Sequence, residues 1–463
     1  MTRDVSVVIL AAGLGTRMRS GLAKVLHQAG GACLLEHVIE AAKEIAEPER
    51  IVAVVGHQAE RVKAEVEGLG TRFEVQTEQK GTGHALRVCA GQPGVKSGRL
   101  VVLYGDCPLL SRATLRRLLA EHEAGGRAAT VITTVLPDAT GYGRIVLDEA
   151  GQVAAIVEQK AATAEQKEIR EINSGIYCFE AELLWPYLEK VEPNPASGEY
   201  YLTDVVELMR AAGHATVPLV VEDANEILGI NTRVELAEAD RIFRQKKVRE
   251  LMLGGVTIQR PETVTVDVGV EVGQDTVIGP MAQLLGKTKV GRECAVGASA
   301  ILENAVLEDG AKVHAFSSVQ DSRLGAAAEV GPYGRLRMGA VVEDGAMVGN
   351  FVELKKTRLG QGSKAMHLAY LGDATIGQKV NIGAGTITCN YDGRKKNPTQ
   401  IGDGAFVGSN STLVAPVEVG AGSYVAAASI VTKPVPKDAL AVGRAHQINK
   451  EGWAKRRREE KAE

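Results

Sequence analysis

The sequence predicts two domains from different fold classes, an α/β domain followed by a parallel β-helix. In residues 1–229, short apolar runs alternate with stretches of helical periodicity, which is typical of a parallel sheet covered by helices on both faces. Beyond residue 264, an apolar residue recurs at nearly every sixth position. That period fits neither a helix nor a simple strand and indicates the hexapeptide repeat of a β-helix. A length of 463 residues also exceeds that of a single domain.

The elements of the first domain follow from its pattern. We expect strands at 5–10, 51–55, 100–104 and 129–136, and helices at 34–45, 59–67 and 115–124. Ligands of such sheets bind outside the carboxyl ends of the strands. A charged amphipathic segment at 233–253 is expected to form a helix that joins the domains. We therefore place the first domain at 1–232, the linker helix at 233–255, the β-helix domain at 256–445 and a charged tail at 446–463.

The hexapeptide repeat predicts which residues lie above one another. Each apolar residue, among them Val268 and Ile301, is expected to point into a narrow core, and a following Gly or small residue turns the corner. Three hexapeptides form a coil of about 18 residues, so residues 18 apart stack about 4.8 Å apart. Roughly twenty-five hexapeptides give about eight coils, which Pro434 and Pro436 are expected to end. Such a fold can also be an inert spacer or a trimerisation rod.

Composition argues against several classes of function. The net charge of −3, from 54 basic and 57 acidic residues, provides no basic surface for nucleic acid. No apolar run reaches about 18 residues, so we expect no membrane insertion. The first residues lack a signal-peptide layout, and the six Cys residues are widely spaced without a C-x-x-C motif. We therefore expect reduced thiols and a cytoplasmic protein.

A glycine-rich loop follows the first strand. The string LAAGLGTRM at 10–18 contains Arg17, and Lys24 follows shortly after. Glycines let backbone N–H groups approach phosphates, and the two cations add positive charge where a pyrophosphate would leave. Many βα turns contain two glycines, and this loop lacks both the P-loop ending and the G-x-G-x-x-G spacing. With its Arg and Lys, however, the string resembles the signature of sugar-nucleotide pyrophosphorylases, L-x-x-G-x-G-T-R-M followed by P-K, with Ala23 replacing the Pro.

Further segments match that family in the expected order. They are QTEQKGTGHA at 76–85, YGD at 104–106, GYGR at 141–144, IVE at 156–158, EINSG at 171–175 and GIN at 229–231. The resemblance implies a Rossmann-like nucleotidyltransferase domain in which the segment at 76–85 reads uracil. The implied contacts of UTP or its sugar product are Leu10, Ala11, Ala12, Gly13, Lys24, Gln76, Gly81, Thr82, Tyr104, Gly105, Asp106, Gly143, Glu158, Asn173 and Asn231, of which Gly143, Glu158 and Asn173 hold the amino sugar. Taken singly, Asp106 could cap a helix, Asn173 could lie in a turn and Glu158 could be a surface charge.

The resemblance also implies a mechanism, an in-line attack by a sugar-1-phosphate oxygen on the α-phosphorus of UTP. Asp106 and Asn231 would hold Mg²⁺, for which oxygen ligands are suited. Lys24 and Arg17 would be catalytic, because positioning and charge neutralisation carry the rate of phosphoryl-type transfers. No nucleophilic side chain is required.

Two cations in the hexapeptide repeat suggest an anion site. Arg337 and Lys355 are 18 residues apart and each follows its apolar residue directly, so we expect them to stack on adjacent coils. Like charges stacked in this way destabilise a sheet, and a bound sugar phosphate would remove the penalty. Alternatively, both side chains extend into water, towards Glu353.

Small residues and one histidine suggest a second substrate in the same region. Ser409 and Ala427 are also 18 residues apart, and a row of small residues would leave a groove for a pantetheine arm. Ordinary packing at a corner explains that spacing equally well. His367 lies between the two regions, and acyl transfer to an amine needs a base that removes a proton from the ammonium. A lone His is nevertheless often structural.

The whole chain resembles the family of bacterial bifunctional N-acetylglucosamine-1-phosphate uridyltransferase/glucosamine-1-phosphate N-acetyltransferases. The most specific strings are GNFVELKK at 349–356, YLGD at 370–373 and NIGAGTITCNYDG at 381–393. The resemblance implies a left-handed β-helix with His367 as general base. The implied glucosamine-1-phosphate ligands are Arg337, Lys355, Tyr370 and Asn381, and the implied acetyl-CoA ligands are Ala384, Asn390, Tyr391, Ser409, Ala427 and Arg444. The chain departs from the family pattern at Gly334, Met338 and Met366.

The activity implied by this resemblance is the two-step synthesis of UDP-N-acetylglucosamine, which feeds cell-envelope synthesis in bacteria. The β-helix would acetylate glucosamine-1-phosphate from acetyl-CoA, and the first domain would join N-acetylglucosamine-1-phosphate to UTP with release of pyrophosphate. Members of this family form homotrimers through the β-helix. Two alternatives remain open, a monofunctional sugar-nucleotide pyrophosphorylase with a structural or regulatory β-helix and a non-catalytic assembly scaffold.

Overall fold

The structure, a computed structural model, describes residues 4–195 and 197–460. The chain divides into two compact units between Phe243 and Arg244. This division falls inside one continuous helix, Arg233–Leu253, where the sequence predicts a helix at 233–253. None of the helices in the described residues is both long and apolar enough to cross a bilayer.

A mixed sheet forms the centre of the first unit. In the described residues this unit contains the strands β1 (Val5–Ala11), β2 (Gln28–Ala29), β3 (Ala32–Cys33), β4 (Ile51–Val55), β5 (Arg72–Val75), β6 (Arg99–Tyr104), β7 (Ala129–Val135), β8 (Arg144–Leu147), β9 (Val153–Val157), β10 (Glu171–Glu180) and β11 (Thr216–Val220). The main order is β11-β7-β10-β6-β1-β4-β5, and the β8–β9 hairpin joins the sheet at β10. β2 and β3 form a separate pair.

Helices cover both faces of this sheet. The α-helices of both units in the described part of the chain are α1 (Leu34–Ala42), α2 (Ala59–Val66), α3 (Thr82–Arg87), α4 (Arg112–Glu123), α5 (Ala164–Lys167), α6 (Ala181–Leu188), α7 (Asp204–Ala211), α8 (Arg233–Leu253) and, in the second unit, α9 (Trp453–Glu459). Alternate residues of β1 enter two separate cores, Val7 and Ile9 on the side of α1 and α4, Val8 and Leu10 on the side of α6 and α7. Burial on both faces explains why β1 is apolar without alternation.

Strand direction departs from the expected parallel sheet at β10. This strand runs antiparallel to both β6 and β7, whereas β1 is parallel to β4 and β6. The strands expected at 5–10, 51–55, 100–104 and 129–136 form β1, β4, β6 and β7. The sequence analysis missed β5, the β8–β9 hairpin, β10 and β11, because an apolar run predicts a buried strand but not its direction or its partner.

The second unit is a left-handed β-helix made of three parallel sheets. In the described residues, the first sheet has eleven strands: β12 (Thr257–Ile258), β15 (Val277–Ile278), β18 (Ala295–Val296), β21 (Lys312–Val313), β24 (Glu329–Val330), β27 (Met347–Asn350), β30 (Lys364–His367), β33 (Asn381–Ile382), β36 (Phe406–Val407), β39 (Tyr424–Val425) and β41 (Leu440–Ala441). The second has ten: β13 (Thr265–Val266), β16 (Gln283–Leu285), β19 (Ile301–Glu303), β22 (Ser318–Gln320), β25 (Arg335–Arg337), β28 (Glu353–Lys355), β31 (Tyr370–Gly372), β34 (Ile387–Cys389), β37 (Thr412–Val414) and β40 (Ile430–Val431). The third has nine: β14 (Glu271–Val272), β17 (Lys289–Val290), β20 (Val306–Leu307), β23 (Arg323–Leu324), β26 (Val341–Val342), β29 (Arg358–Leu359), β32 (Ala374–Ile376), β35 (Thr399–Ile401) and β38 (Val417–Val419).

Apolar residues from successive coils form one continuous core inside the β-helix. Leu336 lies in register with Leu354, as the 18-residue spacing predicts. Two predicted core positions are wrong by one or two residues, because Val266 and Leu302 are fully buried in place of Val268 and Ile301. Side chains alternate between the core and the outside along a strand, so an adjacent apolar residue faces outward.

The β-helix also continues past its predicted end. Val435 is buried and bridges to Val419, and β41 pairs in parallel with β39. Pro434 and Pro436 therefore do not end the solenoid, because an edge position does not require their missing N–H groups. With nine strands in its shortest sheet, the described β-helix has one coil more than the repeat count predicted.

Candidate active sites

The loop after β1 and the neighbouring strand ends enclose a cleft of about 520 Å³ in the first unit. The Gly-rich loop leads into a short 3₁₀ turn, Thr16–Met18. Gly15 has a φ of +63°, and a Cβ there would lie 2.6 Å from the Cβ of Lys24. The loop therefore needs a glycine to let Lys24 reach the cleft. Of the predicted nucleotide contacts, the cleft wall contains Leu10, Ala11, Ala12, Gly13, Lys24, Gln76, Gly81, Thr82, Tyr104, Asp106 and Asn231. The predicted catalytic residue Arg17 also lies in this wall.

Charged and amide groups converge on one side of this cleft. The Lys24 ammonium forms an ion pair with Asp106 and donates to Asn231 Oδ1 at 3.1 Å. Arg17 Nη2 donates to the same Asn231 oxygen at 2.8 Å. Asn231 Nδ2 donates to the Gly229 carbonyl, which fixes the side-chain oxygen towards the cations. Four side chains from three separate segments of the sequence thus meet at one point.

This arrangement fits a divalent cation held by few protein ligands. Asp106 and Asn231 already present oxygens to a shared positive charge, that of Lys24. Within the described residues, no group of three His, Cys, Asp or Glu side chains could enclose a metal ion. Mg²⁺ commonly takes one or two protein oxygens and completes its shell with phosphates and water. The donor set therefore suits Mg²⁺ that arrives with a nucleotide.

The predicted amino-sugar residues form a second group. Asn173 N donates to the Gly143 carbonyl at 3.0 Å, and a Cβ on Gly143 would lie 3.5 Å from Glu158 Oε1. Burial, with the nearby Asp204 charge, raises the pKa of Glu158. These three residues lie together but outside the wall of the cleft. Gly105 is also outside this wall, and its N–H donates to the Leu10 carbonyl.

Tyr104 packs closely at the end of β6. Gly175 has a φ of +80°, and a Cβ there would meet the Tyr104 ring at 2.5 Å. The ring is half-buried, and this burial together with the Asp106 charge raises the pKa of its hydroxyl. The phenol therefore stays neutral and acts through packing and a hydrogen bond with Thr82.

Sequence reasoning missed several residues of this cleft. Gln79, Glu199 and Tyr201 contribute to its wall, and His84 contacts the side chain of Gln76. Gln79 and His84 stand in the segment that carried the family resemblance, so the signal was available. The segment around Tyr201 carries no recognisable motif.

In the β-helix, Arg337 and Lys355 lie in register on adjacent coils, as expected. A bound anion is not needed to offset the repulsion between them, because each cation has its own carboxylate. Arg337 Nε donates to Glu353 Oε1 at 2.7 Å, and Lys355 Nζ donates to Asp373 at 2.8 Å. These ion pairs neutralise the stacked cations without a ligand.

A buried network surrounds Lys355. Asn390 Nδ2 donates to Asp373 Oδ2 at 2.6 Å and lies 3.5 Å from the Tyr370 hydroxyl. Burial alone would raise the pKa of Asp373, but hydrogen bonds from Lys355 and Asn390 bring it below its usual value. Lys355, Tyr370, Asp373 and Asn390 therefore form one connected group beside the loop that follows β34.

One corner of the β-helix carries the predicted base and the small residues. His367, Ala384, Ser409 and Ala427 each stand two residues after an inward-facing residue of the first sheet. Cβ atoms on Gly383 and Gly408 would lie 2.5 Å from the backbone nitrogens of the next coil. Glycine and small side chains thus leave a shallow groove along this corner, on the coils that follow His367.

His367 is exposed at this corner and has one neighbour that orients it. Asn350 lies in register with His367, and its Oδ1 is 3.1 Å from His367 Nδ1. When that oxygen accepts a hydrogen bond, the ring proton is on Nδ1 and Nε2 is free to accept a proton. The geometry is therefore compatible with a general base, and the sequence analysis did not identify Asn350 as its partner.

The remaining predicted residues lie apart from these groups within the single chain. Asn381 is on the first sheet, in register with Lys364 and Phe406, whereas the other sugar-phosphate residues are on the second sheet. Tyr391 is exposed in the loop, where its hydroxyl donates to the Gly393 carbonyl, and Arg444 is exposed beyond β41.

Comparisons with known proteins are consistent with both units. Residues 7–169 match the family model of MobA-like NTP transferase domains, and residues 398–433 match the hexapeptide repeat of succinyl-transferase. The protein named bifunctional protein GlmU from Solibacter usitatus is 55% identical, over 99% of this chain and 98% of its own length. The proteins of the same name from Anaeromyxobacter sp. and Koribacter versatilis are 50% and 47% identical, over 98% and 99% of this chain and 93% and 98% of their own lengths.

Proposed function

The chain belongs to the family of bifunctional GlmU proteins, and we propose how its residues divide the two reactions of that family. It is an enzyme of UDP-N-acetylglucosamine synthesis, with acetyltransferase and uridyltransferase activities. The β-helix acetylates glucosamine-1-phosphate from acetyl-CoA, and the first unit joins N-acetylglucosamine-1-phosphate to UTP. The observation that carries the assignment is full-length similarity combined with two distinct side-chain groups, one in each unit.

In the first unit, Lys24 and Arg17 place positive charge against the triphosphate. Backbone N–H groups of the loop 11–15 contact its phosphates, and the cations stabilise the charge that develops as the sugar phosphate attacks the α-phosphorus. Asp106 and Asn231 would hold Mg²⁺, which when bound supplies further charge neutralisation. Gln76, Gly81 and Thr82 bind the uracil, and Gly143, Glu158 and Asn173 bind the amino sugar.

In the second unit, His367 Nε2 accepts a proton from the sugar ammonium. The free amine then attacks the thioester carbonyl and forms the C–N bond. The C–S bond breaks as the proton passes from His367 to the departing CoA thiolate, and the new amide nitrogen releases its surplus proton to water. Arg337, Lys355, Tyr370 and Asn381 bind glucosamine-1-phosphate. Acetyl-CoA lies along the groove formed by the small residues at the corner that carries His367. Its contacts are Ala384, Asn390, Tyr391, Ser409, Ala427 and Arg444.

We also propose that three chains assemble through the β-helix and work in the cytoplasm. An exposed apolar row follows one edge of the β-helix, where the rings of Phe316, Tyr333 and Phe351 stack at 5.2 Å. Together with Met281 and Leu368, these side chains are 47% to 64% exposed. Apolar patches of this kind mark interaction sites. The separation of Asn381 from the other sugar-phosphate residues supports an acetyl site completed by a neighbouring chain.

A two-readout assay on the purified protein tests this function. Glucosamine-1-phosphate, acetyl-CoA, UTP and Mg²⁺ are supplied together, and release of free thiol and of pyrophosphate is followed separately. Both products are expected, and pyrophosphate should require acetyl-CoA unless N-acetylglucosamine-1-phosphate is added directly. Pyrophosphate release from the acetylated sugar without any thiol release would contradict the bifunctional assignment and favour a monofunctional pyrophosphorylase.

A further inference from the structure

Gln76 is a buried amide with an unusual set of partners. Its side chain is at the wall of the nucleotide cleft, and the residue is only 3% exposed. Its Nε2 lies 3.2 Å from the Gly81 carbonyl and 2.9 Å from His84 Nδ1. Both hydrogens of the NH₂ group are therefore used inside the protein.

These contacts determine which end of the amide faces the cleft. The Gly81 carbonyl can only accept a hydrogen bond, so the atom beside it must be the nitrogen of Gln76. His84 Nδ1 must then be an unprotonated acceptor, which places the ring proton on Nε2. The carboxamide oxygen Oε1 has no partner among the described residues. Oε1 is not among the fully buried atoms that lack a partner, so it is accessible at the cleft wall and can accept a hydrogen bond from a ligand.

We propose that His84 is a positioning residue that sets the preference of this chain for uracil over cytosine. It acts through Gln76 by holding the amide with Oε1 towards the base. This inference rests on the uridyl transfer proposed above and names the origin of its base specificity.

The chemistry of the two pyrimidines explains the preference. Uracil carries a hydrogen on N3 and can donate it to Gln76 Oε1, whereas N3 of cytosine is an acceptor and would face that oxygen without a hydrogen bond. Reversing the amide would serve cytosine better. The reversal, however, brings Oε1 against the Gly81 carbonyl and the lone pair of His84 Nδ1, so the protein opposes it from two sides.

The test is a series of substitutions at His84, each measured as kcat/KM for UTP and for CTP. His84→Asp keeps an acceptor near the position of Nδ1, His84→Leu removes it, and His84→Lys offers only donors, which favour the reversed amide. His57→Leu is the matched control, because His57 is exposed and lies outside the cleft wall. All variants are full-length, with N-acetylglucosamine-1-phosphate and Mg²⁺ as co-substrates, and thermal unfolding confirms folding.

The ratio of kcat/KM for UTP to kcat/KM for CTP should be highest in His84→Asp, lower in His84→Leu and lowest in His84→Lys. His84→Asp should keep the wild-type ratio within about twofold, and His84→Leu should lower it about three- to tenfold, the effect of one neutral hydrogen bond. His84→Lys should lower it further, and His57→Leu should not change it. An unchanged ratio in the folded Leu and Lys variants, or an equal loss in the Asp variant, would overturn the proposal. Wild-type protein that does not use UTP would instead refute the uridyl transfer itself.

Discussion

At the level of single residues, paired charges organise both sites. Lys24 is bound to Asp106 and Asn231 in one unit, and Lys355 is bound to Asp373 in the other. The sequence motifs predicted the cations but not all of their partners. The 18-residue spacing that pairs Arg337 with Lys355 also puts Asp373 eighteen residues after Lys355, so this partner was predictable. The Asn350–His367 contact has no such motif, although the two residues are in register.

Asp106→Asn tests the proposed Mg²⁺ site of the first unit. The substitution replaces a carboxylate, which is paired with Lys24 and would bind Mg²⁺, by a neutral amide. Pyrophosphate release should therefore fall by about 100-fold or more. Thiol release from acetyl-CoA should remain near the wild-type rate, because that chemistry uses residues of the other unit. Unchanged pyrophosphate release would refute the metal-binding role of Asp106.

His367→Ala tests the proposed role of His367 as the general base of the second unit. Loss of a general base should lower thiol release by about 10² to 10⁴-fold and leave uridyl transfer near normal. Asn350→Ala is the informative companion, because it keeps the base and removes only the contact at Nδ1. It should cause a smaller loss of thiol release. Loss of both activities in His367→Ala would point to misfolding or a wrong assignment.

Lys355→Met tests the buried ion pair. It leaves the Asp373 carboxylate without its partner and should destabilise the protein by about 3 kcal/mol at pH 7. The folded-state pKa of Asp373 is below its usual value, so the pair contributes stability at neutral pH and loses it as the pH falls through that pKa. Denaturant unfolding should therefore show a difference between variant and wild type that narrows below about pH 4. A difference independent of pH would contradict this account.

At the level of elements, the repeat positions side chains through backbone register. The hexapeptide period predicted the coils and the stacking of Arg337 on Lys355, because most strands of the β-helix have one inward-facing apolar residue. The antiparallel direction of β10 was not predictable in this way. Its run Glu171–Glu180 contains Asn173-Ser174-Gly175, where the pairing with β7 shifts register, but such a signal does not reveal the direction of the strand.

Gly349→Ala tests how strongly coil spacing controls the acetyl site. A Cβ at this position would overlap the Met366 carbonyl on the next coil, and the coils would have to separate beside the Asn350–His367 pair. Displacement of a catalytic group by about 1 Å costs about 100-fold in rate, so thiol release should fall by that order while pyrophosphate release is kept.

Gly269→Ala is the matched control for that substitution. The nearest atom to its added Cβ is the Gly286 carbonyl oxygen at 3.3 Å, which a small shift accommodates. Both activities should remain near normal in this variant. Equal effects of the two substitutions on thiol release would refute a specific role for the spacing between these coils.

At the level of the whole molecule, each unit contains its own group of candidate catalytic residues. Lys24, Asp106 and Asn231 lie in the first unit, and Lys355 and His367 lie in the second. The change from alternating helices and strands to a six-residue period predicted this division. The end of the β-helix was less predictable, because Val435 and β41 extend the fold beyond the prolines. We therefore predict that acetyl transfer and uridyl transfer are independent steps carried out by separate residues of one chain.

Mixing two singly inactivated proteins tests that claim most directly. Asp106→Asn and His367→Ala variants are each given glucosamine-1-phosphate, acetyl-CoA, UTP and Mg²⁺, alone and as a mixture. We expect little UDP-N-acetylglucosamine from either variant alone and restored synthesis from the mixture, because one acetylates the sugar and the other uridylates it. A mixture that stays inactive, although each variant keeps its own partial reaction, would contradict the account, as would full synthesis by either variant alone.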